Sequence, residues 1–127
     1  MKLLLDTHAF LWFASGSKEL SARARRAIEN PAHIAYLSVA SAWEMAIKLS
    51  LGKLTLGVPL DDLIERGVRT GIVELAVRRA HVLGVATLPW HHRDPFDRLL
   101  VSQALVEGLQ LVSADVALDR YPVRRLW

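Results

Sequence analysis

Four acidic residues occupy positions at which they could do chemistry, either where an apolar segment ends or near the start of a predicted helix. These candidate site residues are Asp6, Glu44, Asp97 and Asp115. In an open parallel α/β sheet the crevice lies at the carboxyl ends of the strands, so acids remote in sequence converge there. Converged carboxylates repel one another unless a cation lies between them, and oxygen ligands suit Mg²⁺ or Mn²⁺. The pattern therefore predicts a divalent-metal site, whose usual chemistry on a basic protein is phosphodiester cleavage.

The first two acids each have a competing structural explanation. Asp6 ends a predicted buried strand in the segment KLLLDTH, where an unpaired charge is costly, so it needs a metal or a helix-capping role. Glu44 has the spacing of a capping box with Ser41. If Ser38 is the cap instead, Glu44 lies deeper in the helix among apolar neighbours and requires a ligand. We favour metal binding for both acids and keep capping as the alternative.

The segment HHRDPFDRLL contains two acids that compete for one role. Asp94 suits the N-cap of a helix, Pro95 suits its first position and Asp97 its third. The side chain of an N-cap residue accepts hydrogen bonds from backbone N–H groups, whereas the side chain of a residue at the third position projects from the first turn. Asp97 is therefore the predicted ligand. Near the end of the chain, Asp115 or Asp119 could complete the cluster, and Asp115 is nearer the predicted strand edge.

Several basic residues near these acids are weaker candidates. His8, His91 and His92 could contact phosphate or assist a proton transfer, but they lack the paired spacing of zinc ligands. Arg93 and Arg98 could hold an RNA backbone.

The first predicted helix carries an unusually aromatic stripe. It consists of Phe10, Leu11, Trp12 and Phe13. Residues at adjacent helical positions cannot all point into one core, so we expect at least one of these side chains to be exposed. Such a side chain would form a partner-binding face, although an ordinary core with one exposed aromatic explains the stripe equally well.

Composition restricts the class of protein. The chain has 127 residues, of which 52% are hydrophobic and 23% charged, as expected for one globular domain spanning residues 1–127. A net charge of +3 mildly favours an anionic partner such as RNA, and the absence of cysteine excludes disulfides and thiolate metal sites. The N-terminal segment does not have the pattern of a signal peptide, and no uncharged run approaches the roughly 20 residues of a membrane span. We expect a cytoplasmic protein.

Predicted strands and helices alternate along the chain. The predicted strands cover residues 2–5, 34–37, 72–75, 110–113 and, at one edge, 122–126. The predicted helices cover residues 7–14, 21–28, a segment that ends at Gly52, 59–69, 77–83 and a long helix from Pro95 that ends at Gly108. This alternation predicts a parallel sheet with right-handed crossovers and helices on both faces.

The whole chain resembles the PIN-domain ribonucleases, specifically the VapC-like toxins of VapBC toxin–antitoxin pairs. Four matching segments occur in order from end to end: LLLDTHAFLW, LSVASAWEMAIKLSLGKL, HHRDPFDRLLVSQAL and LVSAD. Ser113 stands where many relatives have threonine, which keeps the hydroxyl group. The resemblance implies a three-layer α/β/α fold and an endoribonuclease that depends on Mg²⁺ or Mn²⁺.

Several further properties follow from the resemblance. It implies that the metal is bound by Asp6, Glu44, Asp97 and Asp115. It also implies a small antitoxin protein, whose C-terminal segment lies in a groove of the toxin, and a homodimer. The expected reaction is hydrolysis of RNA phosphodiester bonds by a metal-activated water.

Two other protein classes are alternatives. A PIN-fold module without catalysis could bind RNA or protein, but the intact set of four acids argues against it. An aspartyl-phosphate phosphatase or receiver domain also places an acid at the end of the first strand. Such a protein would need a second acid two residues later or an acidic pair just before, whereas Thr7 and His8 follow Asp6 and Leu5 precedes it.

Overall fold

The structure is a computed structural model that describes residues 1–91 and 93–127. The described residues form five strands: β1 (Lys2–Leu5), β2 (Ile34–Ser38), β3 (Val73–Leu75), β4 (Gln110–Val112) and β5 (Arg125–Leu126). They also form six α-helices: α1 (Thr7–Ser15), α2 (Ala22–Glu29), α3 (Val39–Ser50), α4 (Leu60–Arg69), α5 (Arg79–Val85) and α6 (Pro95–Glu107). A short 3-10 helix, Val116–Arg120, lies between β4 and β5. The predicted alternation of strands and helices is confirmed.

All strands pair in parallel, in the order β3-β2-β1-β4-β5. In the central strand, Leu5 lies opposite Leu37 of β2 and Val112 of β4. From β1 the chain adds β2 and β3 on one side of the sheet, and it then crosses over to add β4 and β5 on the other side. Ligands of such sheets bind at the carboxyl ends of the two strands between which the chain changes side, here β1 and β4. Asp6 and Ser113, which directly follow these two strands, therefore lie at the expected crevice.

Helices cover both faces of the sheet, and alternate residues of β1 contact opposite layers. Leu3 and Leu5 belong to one core, Leu4 belongs to the other, and all three are fully buried. The first core also contains Phe10, Ala24, Met45 and Leu63, from helices α1 to α4. The second contains Leu100, Val101, Ala104, Leu111 and Leu118. Burial on both faces explains why β1 is a continuous apolar run, and it confirms the three-layer α/β/α fold.

Local capping residues fix the ends of the helices that carry the site. Helix α1 ends at Gly16 and helix α6 ends at Gly108, and both glycines adopt the left-handed conformation, with φ of 68° and 67°. Glycine adopts this conformation without the steric cost that a Cβ atom would add. Within the described ranges, no helix is long and apolar enough to cross a bilayer.

The predicted bounds of α5 and of the last strand were wrong, whereas most other predicted bounds differ from the structure by a single residue or not at all. Helix α5 begins at Arg79, two residues later than predicted, because Arg78 is its N-cap and donates its backbone N–H to Nδ1 of the buried His81. The last strand contains Arg125–Leu126 alone, so Pro122 lies outside it. These corrections leave the sheet order and the site unchanged.

Candidate active site

Asp6 lies at the junction of β1 and α1 and is tied to β4. Its backbone N–H donates to the carbonyl of Val112 at 3.0 Å, and its carboxylate accepts the N–H of Ala9 at 2.8 Å. Burial raises the pKa of Asp6 and is the largest influence; the Ser113 side chain, the N–H of Ala9 and the charge of His8 lower that pKa, and the nearby charge of Glu44 raises it further. Asp6 therefore caps α1 and places a partly desolvated carboxylate at the crevice.

Glu44 is buried in α3 and both of its oxygens are engaged. The Thr7 hydroxyl donates to Oε1 at 2.6 Å, and Nζ of Lys48 lies 2.8 Å from Oε2. Only 7% of the surface of Glu44 is exposed. The side chain is thus held between α1 and the next turn of its own helix, facing the crevice.

The proposed capping box at the start of α3 is wrong. Ser38 is the N-cap, and its hydroxyl accepts the N–H of Ala40 at 3.1 Å. The Ser41 hydroxyl is buried and has no hydrogen-bond partner among the described residues. Because the helix begins earlier than a Ser41 cap would require, Glu44 lies deeper in α3, as the second interpretation of the sequence stated.

The start of α6 has the predicted geometry. Oδ1 of Asp94 accepts the backbone N–H groups of Phe96 at 2.8 Å and Asp97 at 3.1 Å. Pro95 is the first helical residue, and Asp97 is half-buried on the first turn. The division of roles that we predicted for the two acids therefore agrees with the geometry: Asp94 caps the helix, and Asp97 projects from it.

Arg98 does not face solvent, which contradicts its predicted contact with RNA. It is 4% exposed, and its guanidinium donates to the carbonyls of Val85 and Pro89 at 3.2 and 2.9 Å. The guanidinium carbon also lies 4.0 Å from the ring centroid of Trp90. Arg98 thus fixes the segment that precedes α6, whereas Arg93 is exposed.

The two acids after β4 have separate roles. Asp115 begins the 3-10 helix, where its Oδ1 accepts the N–H of Ala117 at 3.0 Å, and its own N–H donates to the Ser113 hydroxyl at 3.1 Å. Asp119 instead accepts from Nε and Nη2 of Arg125, at 2.8 and 3.1 Å. The hydrogen bond to Arg125 lowers the pKa of Asp119 and raises that of Arg125. The carboxylate of Asp119 therefore forms an ion pair with Arg125 at the surface.

The four predicted acids line one small cavity of about 180 Å³. Its lining residues are Asp6, Thr7, His8, Glu44, Lys48, Asp94, Asp97 and Asp115. Within the described ranges, however, no group of three or more His, Cys, Asp and Glu side chains is arranged so that it could hold a metal ion. The acids thus surround the cavity without meeting at one point; Asp6 and Asp115 each accept a helix-capping hydrogen bond, and Glu44 is paired with Lys48.

Sequence reasoning predicted no contact for three polar residues of this site. They are Thr7, Lys48 and Ser113, which contact Glu44 or Asp6. The spacing of Lys48, four residues after Glu44, was a usable signal because side chains at that spacing are neighbours on a helix. Of the predicted histidines, His8 is exposed at the cavity, and His91 packs edge-on against Tyr121 with ring centroids 5.1 Å apart. His92 lies outside the described residues.

A larger groove of about 600 Å³ adjoins the acidic cavity. The two spaces share three lining residues, Thr7, His8 and Lys48. The groove is also lined by Leu11, Trp12, Lys53, Leu54, Leu56, Val58 and Arg66, among others. It therefore combines an apolar wall with cations and shares part of its lining with the acidic cavity.

The aromatic stripe on α1 is less exposed than expected. Phe10 is fully buried, while Leu11, Trp12 and Phe13 are half-buried and pack against the same core. Trp12 is partly covered by Trp127, with ring centroids 5.8 Å apart. The strongly exposed tryptophans are elsewhere: Trp43 is 61% exposed and Trp90 is 79% exposed.

Comparison with models of known protein families identifies the family of this chain. The model of the PIN domain matches residues 3–123. The chain belongs to the PIN-domain family. This PIN domain is 31% identical over 117 residues to ribonuclease VapC22 of Mycobacterium tuberculosis, a match that covers 89% of this chain and 86% of that protein. The resemblance inferred from the sequence motifs is thereby confirmed.

Two solved structures share the fold of this PIN domain. VapBC2 from Rickettsia felis, bound to a DNA fragment from its promoter, matches with a TM-score of 0.72 and 12% identity over 99% of this chain and 98% of that one. A toxin–antitoxin complex from Klebsiella pneumoniae matches with a TM-score of 0.59 and 16% identity over 89% and 86% of the two chains. The strand order β3-β2-β1-β4-β5 also differs from the 2-1-3-4-5 order of receiver domains, which argues against that alternative.

The donor atoms around the cavity of this PIN domain suit a hard divalent cation. They are carboxylate oxygens and the hydroxyl of Thr7, which match the preference of Mg²⁺ and Mn²⁺ for oxygen ligands. The raised pKa of Asp6, caused by burial and by the charge of Glu44, marks a site where an added cation would favour the ionised form. The chemistry of these donor atoms thus suits the metal that the family resemblance implies, whereas the described side chains are not gathered around one point.

Proposed function

We propose that this protein is a metal-dependent endoribonuclease and the toxin component of a toxin–antitoxin pair. The observation that carries the proposal is that acids from four separate segments line one cavity at the switch point of the parallel sheet. The relative named ribonuclease VapC22 supports an RNA substrate. The reaction is hydrolysis of a phosphodiester bond by water, so none of the protein's own side chains acts as a nucleophile.

In this proposal the metal is held by Asp6, Glu44, Asp97 and Asp115. Bound Mg²⁺ or Mn²⁺ supplies Lewis acidity, which activates water and stabilises the leaving oxygen. The protein keeps its acids near their working positions through hydrogen bonds that are already present. Thr7 fixes Glu44, and the N–H group of Ala9 fixes Asp6.

An antitoxin protein is the proposed regulatory partner. The apolar wall of the groove, which includes Leu11 and Trp12, offers a surface for an antitoxin segment. Because the groove and the acidic cavity share His8 and Lys48 in their linings, a basic side chain of that segment would lie close enough to reach the acids. It would then exclude both metal and RNA. The fold shared with a toxin–antitoxin complex supports such a partner.

A second copy of the chain is the other proposed partner. Large apolar side chains remain exposed on the described surface outside α1, including Trp43, Leu83 and Trp90. Exposed aromatic side chains often anchor interfaces. A homodimer would cover part of this surface, and sedimentation of the Trp43→Ser and Leu83→Ser variants would reveal which side chain contributes.

Cleavage of single-stranded RNA tests the proposed activity. The wild-type protein should cleave in Mg²⁺ or Mn²⁺ and stop when the metal is chelated. The Asp6→Asn variant keeps an oxygen that can accept from Ala9, so it should fold but not cleave. A catalytically silent PIN-fold module would bind RNA or the antitoxin without cleavage. Equal cleavage by the two proteins would instead indicate a contaminating nuclease.

A further inference from the structure

The negative charge of the acidic cavity would repel an RNA substrate. Five carboxylate side chains line it, and the phosphate backbone of RNA is itself anionic. The proposed metal offsets part of this charge, and a cationic side chain beside the cavity would offset more of it where the backbone approaches. Among the described residues that line the cavity, Lys48 is the only lysine or arginine.

We propose that Lys48 binds a phosphate of the RNA backbone next to the bond that is cut, an inference that rests on the proposed ribonuclease function. Lys48 lines both the acidic cavity and the larger groove, and its ammonium group lies beside Glu44, another residue of the cavity lining. Lys53 and Arg66 line the same groove. These three cations mark a path along which an RNA backbone can approach the acids.

Glu44 holds the ammonium group of Lys48 in position. Nζ of Lys48 lies 2.8 Å from Oε2 of Glu44, while Thr7 fixes the other oxygen of the same carboxylate. The lysine side chain is 37% exposed and the glutamate side chain 10% exposed. The buried end of the pair is therefore anchored, and the cationic end is open to a ligand. An ammonium has three N–H donors, and the contact with Oε2 engages one of them.

An ordinary helix ion pair is the alternative interpretation. Lysine four residues after glutamate stabilises many helices slightly, without any ligand. Such a pair would not account for the presence of Lys48 in the linings of two ligand-sized spaces. The two interpretations differ in what they predict for RNA binding, since only a phosphate contact changes the dependence of affinity on salt.

The test measures binding of a single-stranded RNA oligonucleotide at fixed Mg²⁺ while the KCl concentration is varied. The parent protein carries Asp97→Asn, which under the proposed function prevents cleavage during the measurement. Into it are placed Lys48→Gln, Lys48→Arg or, as a matched control, Lys18→Gln. Lys18 is exposed and is not among the residues that line either space, so its replacement removes the same charge elsewhere.

We expect Lys48→Gln to weaken RNA binding about tenfold, the usual effect of losing one hydrogen bond to a charged group. The slope of log K against log salt should fall by about 0.7, the value for one phosphate contact on a single strand. Lys48→Arg should restore most of both quantities, and Lys18→Gln should leave the slope unchanged. A folded Lys48→Gln variant with the affinity and slope of its parent would overturn the proposal.

The outcomes also separate this proposal from the ribonuclease proposal. If the wild-type protein cleaves RNA but Lys48→Gln leaves the salt slope unchanged, the phosphate contact is wrong and the nuclease function stands. If Lys48→Gln lowers the slope but the wild-type protein does not cleave, the contact stands and the nuclease function is wrong. Thermal unfolding of each variant verifies that the protein is folded.

Discussion

The Thr7 hydroxyl donates a 2.6 Å hydrogen bond to Oε1 of Glu44, although 37 positions separate the two residues in the chain. Because Thr7 directly follows Asp6, this bond couples the end of β1 to the second turn of α3. On the other side, the Ser113 hydroxyl accepts the backbone N–H of Asp115 at 3.1 Å, and the Ser113 side chain lowers the pKa of Asp6. Contacts of Thr7 and Ser113 thus help to position the segments that carry Glu44 and Asp115 relative to Asp6.

The Asp6→Asn variant should be as stable as the metal-free wild-type protein, or more stable. Burial raises the pKa of Asp6 in the folded state above its ordinary value of 3.8. The folded protein therefore binds a proton at the Asp6 carboxyl more tightly than the unfolded chain does. The stabilisation that comes from this bound proton is lost as the pH rises through the raised pKa. At neutral pH the ionised carboxylate destabilises the fold, and asparagine removes that effect. Thermal unfolding in a chelating buffer measures the difference; a large loss of Tm together with retained cleavage would refute the role of Asp6.

Mg²⁺ or Mn²⁺ should raise the Tm of the wild-type protein. A ligand that binds only the folded state stabilises it by about 2.7 kcal/mol at a concentration 100 times its Kd. The shift should be small in Asp6→Asn, because a proposed ligand has lost its charge. If the full shift persists in that variant, Asp6 does not bind the metal.

The two acids at the start of α6 should respond differently to substitution. Asp94→Ser retains a capping oxygen and should keep most of the cleavage activity, since the side chain of Asp94 serves the N–H groups of Phe96 and Asp97. Asp97→Asn keeps the shape of the side chain but loses its charge, and it should be inactive. Single-turnover cleavage rates compare the two variants, and equally severe losses would show that Asp94 also acts in catalysis.

Trp12→Ser should weaken antitoxin binding, because Trp12 lines the groove beside the acidic cavity. Trp43→Ser is the control for the groove alone, since Trp43 is exposed and is not among the groove-lining residues; it should keep the antitoxin affinity even if it weakens the proposed homodimer. Affinity for the antitoxin, dimerisation and RNA cleavage should be measured separately for both variants. Unchanged antitoxin affinity in a folded Trp12→Ser protein would rule out the groove as the binding site.

The elements with strong local signals were predictable from sequence. Helix α6 begins at an Asp-Pro pair and ends at Gly108, and its bounds followed from these residues alone. Helix α5 was misplaced because its N-cap depends on the side chain of His81, which is itself fixed by Glu107 at 2.8 Å, 26 residues away. The burial of Trp12 also depends on a distant residue, because Trp127 covers it.

In the site, too, some residues were predictable from their local sequence and others depend on contacts between distant elements. Its acids were predictable because parallel strands place the residues that follow them along one edge, which holds for Asp6 after β1 and Asp115 after β4. The hydroxyls of Thr7 and Ser113 were not predictable, since nothing in their local sequence identifies a partner on another element. Their roles depend on the register between elements, which only the folded chain defines.

The most direct test of the central claim is single-turnover cleavage of one RNA by the four amide variants at saturating Mn²⁺. These variants are Asp6→Asn, Glu44→Gln, Asp97→Asn and Asp115→Asn. The control is Asp119→Asn, an identical change in an acid that is paired with Arg125 and is not among the residues lining the cavity. We expect the control to cleave at the wild-type rate and each of the four variants to be inactive. A wild-type rate in any folded member of the four would contradict a metal site formed by all of them.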